Sequence, residues 1–187
     1  MAMKRRDALK SMVLMMGGTM VGANVILTGC APEDRIEGLE FSQRDVAFLD
    51  EIGEAIIPTT DTPGAKATEI GAFMVVMVKD TYNKEQQEIF VDGLNNLRKE
   101  FKDQIGTDFV DASQEERTNY LNEVYTKAQA EAADRQGPHY INMLKDLTVL
   151  GYFTSEIGAT KALRYVETPG RYDPCVDYKK GDKVFAL

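Results

Sequence analysis

Helix-start patterns place the strongest constraint on the fold of this chain. Ser42 is a capping residue with an acid, Asp45, in the turn that follows it. Two further starts have the capping-box arrangement, in which a Ser or Asn stands three residues before a Gln or Glu. These are Asn83 with Gln86 and Ser113 with Glu116. The sequence therefore predicts three well-defined helix beginnings.

Apolar side chains then recur every three or four residues, the spacing of one helix face. Five such stripes follow one another: Val46, Leu49, Ile52 and Ile56; Ile70, Phe73, Met74, Met77 and Val78; Phe90, Leu94, Leu97, Phe101 and Ile105; Tyr120, Leu121, Val124 and Tyr125; and Ile141, Leu144, Leu147 and Thr148. The second helix is predicted to begin near Glu69. Pro58 and Gly106 are placed to end the first and third helices.

The C-terminal part of the chain completes the prediction. Gly137-Pro138 breaks the pattern, and Pro138 suits the first turn of a fifth helix. A last helical segment is expected from about Thr154 to Leu163, and the chain from Tyr165 onward is punctuated by Pro and Gly. No strand-like alternation of any length is present. We therefore predict an all-α fold, an irregular bundle of five to six helices with an extended C-terminal tail.

The first ten residues are typical of an export signal rather than of a folded domain. Arg5 and Arg6 stand just ahead of an apolar stretch, and Leu9 and Lys10 fit the twin-arginine pattern, although Ala8 is a weak match to its apolar position. The twin-arginine route carries proteins that have folded in the cytoplasm. The domain is therefore expected either to hold a cofactor or to travel with a partner that does.

The apolar stretch ends in Leu27-Thr28-Gly29-Cys30, which resembles a bacterial lipobox with Cys30 as the lipid-modified residue. An uncleaved anchor or an amphipathic helix is the alternative, but the stretch has no polar face. We divide the chain into a signal peptide at 1–29, a tether at 30–40 and a helical domain at 41–187. The predicted location is the cell envelope, lipid-anchored and on the periplasmic side, with the choice of membrane left open.

The charge of the predicted mature chain argues against nucleic-acid binding. Removal of residues 1–29 takes away four basic residues and one acidic residue, which changes the net charge from −8 to −11. Such a domain is repelled by phosphate backbones. Membrane attachment is therefore assigned to the lipid on Cys30.

The residues that usually carry chemistry are nearly absent. The single histidine, His139, stands at a predicted helix start, where a capping or surface role is expected. The glycine cluster at Gly17, Gly18 and Gly22 lies within the signal, and no metal-ligand spacing or nucleophile motif is found. The acids Glu51 and Glu54 are interpreted as a solvated face. We therefore predict no catalytic, cofactor-binding or metal-binding residues on this chain, and place the cofactor on a partner.

Cys175 and the C-terminal tyrosines leave alternatives open. With lipid on Cys30, Cys175 has no intramolecular partner, so it is either a small, partly buried side chain or a free or intermolecular thiol. Tyrosines gather in a segment expected to have little regular structure, where an amphipathic ring can face a partner. They are Tyr152, Tyr165, Tyr172 and Tyr178.

Two segments resemble the gluconate 2-dehydrogenase subunit 3 family. The first runs from Ala55 to Ala65 and reads Ala-Ile-Ile-Pro-Thr-Thr-Asp-Thr-Pro-Gly-Ala. The second runs from Leu147 to Glu156 and continues to Pro169-Gly170-Arg171-Tyr172. Together they anchor the domain from about Phe41 to Tyr172. Many members carry a plain cleavable twin-arginine signal, so the lipobox is a departure from the family pattern.

The resemblance implies an accessory role in an oxidoreductase complex. Family members are small subunits of periplasmic dehydrogenases acting on sugars, polyols or glycosides. FAD and catalysis belong to a large subunit of the glucose-methanol-choline (GMC) type, and electrons pass to a cytochrome c subunit or to quinone. The small subunit is thought to escort the large one through export. The substrate cannot be carried over, because specificity belongs to the large subunit.

We hypothesise that the partner interface lies on the two resembling segments. The residues assigned to it are Pro58, Thr59, Asp61, Pro63, Gly64, Tyr152, Pro169, Gly170 and Tyr172. The alternatives are a loop that merely connects two helices, and a chain that acts as a stand-alone helical lipoprotein binding module of the envelope. An enzyme in its own right is the least favoured hypothesis.

Overall fold

The computed structural model describes residues 39–186, except 134–136, 169 and 171–174. Five α-helices appear in this part of the chain: α1 (Gln43–Ile56), α2 (Ile70–Thr81), α3 (Lys84–Ile105), α4 (Gln114–Ala130) and α5 (Tyr140–Thr154). Short 3₁₀ turns lie at Ala65–Thr68 and Phe109–Asp111, and a π-helical turn at Gly158–Ala162. The all-α prediction is confirmed. The predicted signal, including Arg5, Arg6, Leu9, Lys10 and Cys30, and the tether up to residue 38 lie outside the described residues.

The three predicted helix starts are confirmed by reciprocal hydrogen bonds. At each start the cap side chain accepts from the backbone amide three residues on, and that residue's side chain accepts from the cap's own amide. Ser42 and Asp45 form such a box as well, so Asp45 also accepts a hydrogen bond from the cap residue's amide. Gly106 ends α3 with a φ of 87°, a left-handed conformation that glycine adopts without steric strain.

The start of α5 differs from the prediction by two residues. Tyr140 is the first helical residue and His139 is its cap, with Nδ1 accepting from the amide of Ile141 at 3.1 Å. Pro138 therefore lies outside the first turn, and its expected position there is wrong. The capping role expected for His139 is confirmed, because a side-chain acceptor at that position satisfies an otherwise unpaired amide.

The core is built around α1, which contacts α2, α4 and α5. The side chains of Leu49, Ile52 and Ile70 are fully buried, and each such burial contributes about 1.5–3 kcal/mol. Aromatic rings close the end near the second 3₁₀ turn, with Phe109 packed edge-on against Phe48 at 5.1 Å and Phe101 at 4.8 Å.

Besides this apolar packing, a hydrogen bond joins α1 to α2. The Oδ1 of Asp50 accepts from the amide of Gly71 at 2.8 Å. Burial raises the pKa of Asp50, although the hydrogen bond from Gly71 opposes that rise. This carboxylate lies at the N-terminus of α2, where the helix dipole favours negative charge. The pair therefore ties the N-terminus of α2 to α1.

The C-terminal tail turns back instead of running freely. The backbone pairs β1 (Arg164–Tyr165) with β2 (Phe185–Ala186) in parallel, and the amide of Arg164 donates to Val184 at 2.8 Å. The guanidinium of Arg164 also lies 4.6 Å from the centroid of the Phe185 ring. Strands of two residues are too short to produce an alternating pattern. Within the part of the chain that the structure describes, every helix is too short or too polar to cross a membrane.

Candidate functional site

The loop between α1 and the first 3₁₀ turn is held by one carboxylate, that of Glu54. Its Oε1 accepts from the amide and the hydroxyl of Thr59, at 2.8 and 2.7 Å. Its Oε2 accepts from the amide of Lys66 at 3.0 Å. Glu54 therefore binds the loop at Thr59, near its start, and at Lys66, just after its end, and sets the width between them.

Gly64 lies where the loop passes close to this carboxylate. A Cβ at that position would lie 2.3 Å from Oε2 of Glu54, far inside van der Waals contact. The amide of Gly64 donates to the hydroxyl of Thr59 at 3.0 Å, which closes the loop on itself. The loop thus depends on Gly64, on Thr59 and on Glu54, an acid in the last turn of α1.

Tyr152 secures the loop from the side of α5. Its hydroxyl donates to the carbonyl of Pro63 at 2.7 Å, and its side chain is 1% exposed. The expectation that this ring faces a partner from an irregular segment is wrong, because Tyr152 lies within α5 and points into the core. Instead it shapes the loop that is predicted to face the partner.

The end of α1 beneath the loop is completed by α4. The amide of the Gln114 side chain donates to the carbonyl of Glu54 at 2.8 Å, and the hydroxyl of Thr118 donates to that of Ala55 at 3.2 Å. The last carbonyls of a helix have no partners within the helix. These two side chains supply partners to the carbonyls of Glu54 and Ala55, just before the loop begins.

A partly buried ion pair lies next to this end. The side chains of Arg117 and Glu51 are 11% and 14% exposed, and Arg117 donates both to Glu51 and to the carbonyl of Ala112. Lys66, on the loop's far side, pairs with the other oxygen of Glu51. The Nε of Arg117 has no hydrogen-bond partner among the described residues. The pair therefore ties α1, α4 and the first 3₁₀ turn together.

The interpretation of Glu51 and Glu54 as a solvated face is wrong. Glu54 stands in the last turn of α1, where the helix dipole disfavours acids, and Glu51 lies one turn earlier. Their cost at that position is offset by Arg117, Lys66 and the loop amides. The C-terminal end of a helix favours basic residues. The presence of acids there is the one sequence signal that could have revealed the structural role of Glu51 and Glu54.

The tip of the loop is the part available to a partner. Thr60 and Asp61 are exposed, and the hydroxyl of Thr60 donates to Asp61 at 3.0 Å. Pro58 and Thr59 are exposed, whereas Gly64 is buried. The structure thus brings Pro58, Thr59, Asp61, Pro63 and Gly64 into one loop, with Tyr152 behind it. The assignment of these loop residues to a partner interface stays a prediction, whereas Tyr152 is buried behind them.

The second predicted part of the interface is described only in part. Gly170 is exposed, while Pro169 and Tyr172 lie outside the described residues. Large apolar side chains are nevertheless exposed along α5 and the tail: Val149, Leu150, Phe153, Tyr165, Val166, Val176, Tyr178, Val184 and Phe185. Val149, Leu150 and Phe153 share one face of α5 by their spacing.

Cys175 is exposed and forms no disulfide within the described residues. The interpretation as a partly buried side chain is therefore wrong. Among the described residues no group of three or more His, Cys, Asp or Glu could hold a metal ion. The arrangement around the loop is made of caps, clamps and packing contacts, with its exposed chemistry at the tip.

Comparison with known proteins gives one match. The family model of gluconate 2-dehydrogenase subunit 3 matches residues 43–170, more than half of the chain. The matched region begins at the first residue of α1 and ends at Gly170, so it includes the clamped loop and all five helices. No curated protein and no solved structure matches.

Proposed function

Because the chain belongs to the gluconate 2-dehydrogenase subunit 3 family, we propose that it is the non-catalytic small subunit of a flavin-dependent dehydrogenase complex. In this proposal it escorts a GMC-type large subunit, which carries FAD, through twin-arginine export. It then anchors the complex to the membrane. The substrate is a sugar, polyol or glycoside bound by the large subunit, and a cytochrome c subunit or quinone accepts the electrons.

The family match over the whole helical domain is the observation that carries this proposal. The accessory role is supported by where the reactive side chains lie. His139 caps α5, and Glu51 and Glu54 are committed to ion pairs and loop amides. These three groups are thus engaged in holding the fold together.

Partner binding is supported by the exposed surface. Val149, Leu150 and Phe153 are each about two-fifths exposed on one face of α5, and contiguous exposed apolar side chains mark interaction sites. The loop tip adds a rigid polar element, because Glu54 and Tyr152 fix its shape. A preordered loop loses little conformational entropy on binding.

Recovery of the complex from native membranes tests the proposal. The full chain, tagged at its C-terminus, should bring down a flavoprotein with about one flavin per chain, seen in the absorbance spectrum of the eluate. A chain recovered alone from gently solubilised membranes would contradict the proposal. A different envelope protein in the eluate would favour the stand-alone binding module.

Export and anchoring are tested separately. Replacement of Arg5 and Arg6 by lysine should leave both this chain and the flavoprotein in the cytoplasm. Cys30→Ala should release the complex from the membrane fraction while leaving it intact, because two acyl chains supply the stable attachment. Normal export of the flavoprotein with the double lysine variant would contradict the escort role.

The loop contact has its own test. Asp61→Ala combined with Pro63→Ala should reduce the recovered flavoprotein while helix content stays unchanged. Replacement of the exposed Asp92 on α3 by alanine provides a matched loss of charge away from the loop. If recovery survives the double substitution, the loop is a helix connector.

A further inference from the structure

An open cleft of about 360 Å³ lies where the end of α1 meets α4 and the start of α5. Its walls are mostly apolar and include Ile56, Leu121 and Ile141. The volume falls at the lower end of the range of about 300–1,000 Å³ found for ligand sites. The cleft is therefore large enough for a few side chains.

One cation stands in this cleft. The ammonium of Lys145 donates to the hydroxyl of Tyr125 at 3.3 Å and lies 4.9 Å from the centroid of that ring. Lys145 forms no ion pair with any described residue. This is notable because acids outnumber bases by 30 to 22 in the chain. The tyrosine contacts hold the ammonium at the apolar wall without neutralising it.

We propose that this cleft receives an apolar segment of the flavoprotein large subunit, and that a carboxylate on the segment pairs with Lys145. The inference rests on the proposed function and names a contact for it. A single ammonium matches the single charge of a carboxylate, and the apolar walls match apolar side chains beside it. The cleft also includes Pro58, so the segment would continue onto the clamped loop.

Charge reversal tests the pairing. Lys145→Glu in the full chain should weaken binding of the co-purified flavoprotein at least tenfold, because two carboxylates would then face each other. Lys145→Arg should retain most of the affinity. Lys99→Glu on the exposed surface of α3 makes the same change in net charge and should leave the affinity unaltered. Equal affinities for Lys145→Glu and Lys99→Glu would overturn the inference.

Two further measurements keep the result independent of folding. Asn122→Trp should block the cleft without removing Lys145, and should weaken binding while the melting temperature stays unchanged. Carbodiimide treatment of the intact complex should join the Lys145 amine to a flavoprotein carboxylate as an amide, which mass spectrometry detects. A cross-link to a second copy of this chain would overturn the inference. If the wild-type chain recovers no flavoprotein at all, the proposed function fails and this contact fails with it.

Discussion

The hydroxyl of Tyr152 on α5 donates across 2.7 Å to the carbonyl of Pro63, a residue 89 positions earlier in the chain. This bond joins the two segments that resemble the family pattern. It explains why a tyrosine in the C-terminal segment belongs with a loop in the N-terminal half. The loop and α5 therefore act as one structural unit.

Removal of that hydroxyl should weaken the unit without disturbing the core. Tyr152→Phe leaves the Pro63 carbonyl without its donor and should lower the free energy of unfolding by about 1–2 kcal/mol. Chemical denaturation measures the change. Tyr178→Phe, at a side chain that is 74% exposed, should have no effect. Equal stability of both variants would mean that the bond contributes nothing.

Glu54 should control the order of the loop. In Glu54→Gln one carboxylate oxygen becomes an NH₂ group, which cannot accept, so the bond to either Thr59 or Lys66 is lost. We expect a loss of about 1.5–3 kcal/mol, together with faster hydrogen exchange at the amide that loses its acceptor. Glu88→Gln, at an exposed position on α3, is the matched control. Unchanged exchange at both amides would contradict the clamp.

Gly64→Ala should be disruptive because the new methyl group would meet the Glu54 carboxylate. Overpacking of this kind is expected to destabilise by about 1–3 kcal/mol. Gly170→Ala, whose added Cβ meets no described atom within 4 Å, should change stability by less than about 0.5 kcal/mol. Adding Glu54→Ala to Gly64→Ala should cost less than the sum of the two single changes, because the collision partner is gone. Full additivity would show that the strain lies elsewhere.

The pair of Arg117 and Glu51 should be sensitive to the loss of one partner. Arg117→Met leaves a mostly buried carboxylate supported only by Lys66, and we expect a loss of about 3 kcal/mol. Adding Glu51→Leu should recover part of that loss. Lys102→Met breaks a pair with Asp108 in which both side chains are more than half exposed, so the effect should stay below about 1 kcal/mol. A larger loss of stability in Lys102→Met than in Arg117→Met would contradict the greater importance of the buried pair.

Stability should fall at alkaline pH as tyrosines ionise. Burial, with a smaller effect from Glu100, raises the pKa of Tyr140 to about 12, whereas an unfolded tyrosine titrates near 10. The folded state therefore favours the neutral phenol. Its stabilising contribution is complete below pH 10 and is lost between about pH 10 and 12. Denaturation at several pH values measures the free energy of unfolding, which should fall less steeply with pH in Tyr140→Phe than in the wild-type chain. An identical slope in both would show that Tyr140 does not cause the fall.

The sequence by itself determined most of the helical architecture. Helix starts depend on contacts between residues three positions apart, as at Asn83 and Gln86, and helix faces depend on spacings of three and four. Such contacts are local, so they can be predicted without the fold. The left-handed glycine at Gly106 is predictable for the same reason. The first 38 residues are assigned from sequence alone.

Only the tertiary structure decided what the individual loop residues do. Glu54 and Glu51 resemble ordinary surface acids until α4 and the first 3₁₀ turn bring Arg117, Lys66 and the loop amides to them. Tyr152 resembles a surface aromatic until α5 packs behind Pro63. The cleft at Lys145 likewise requires three helices that are separate in the sequence. Contacts of this kind depend on how the helices pack, which local spacing does not encode.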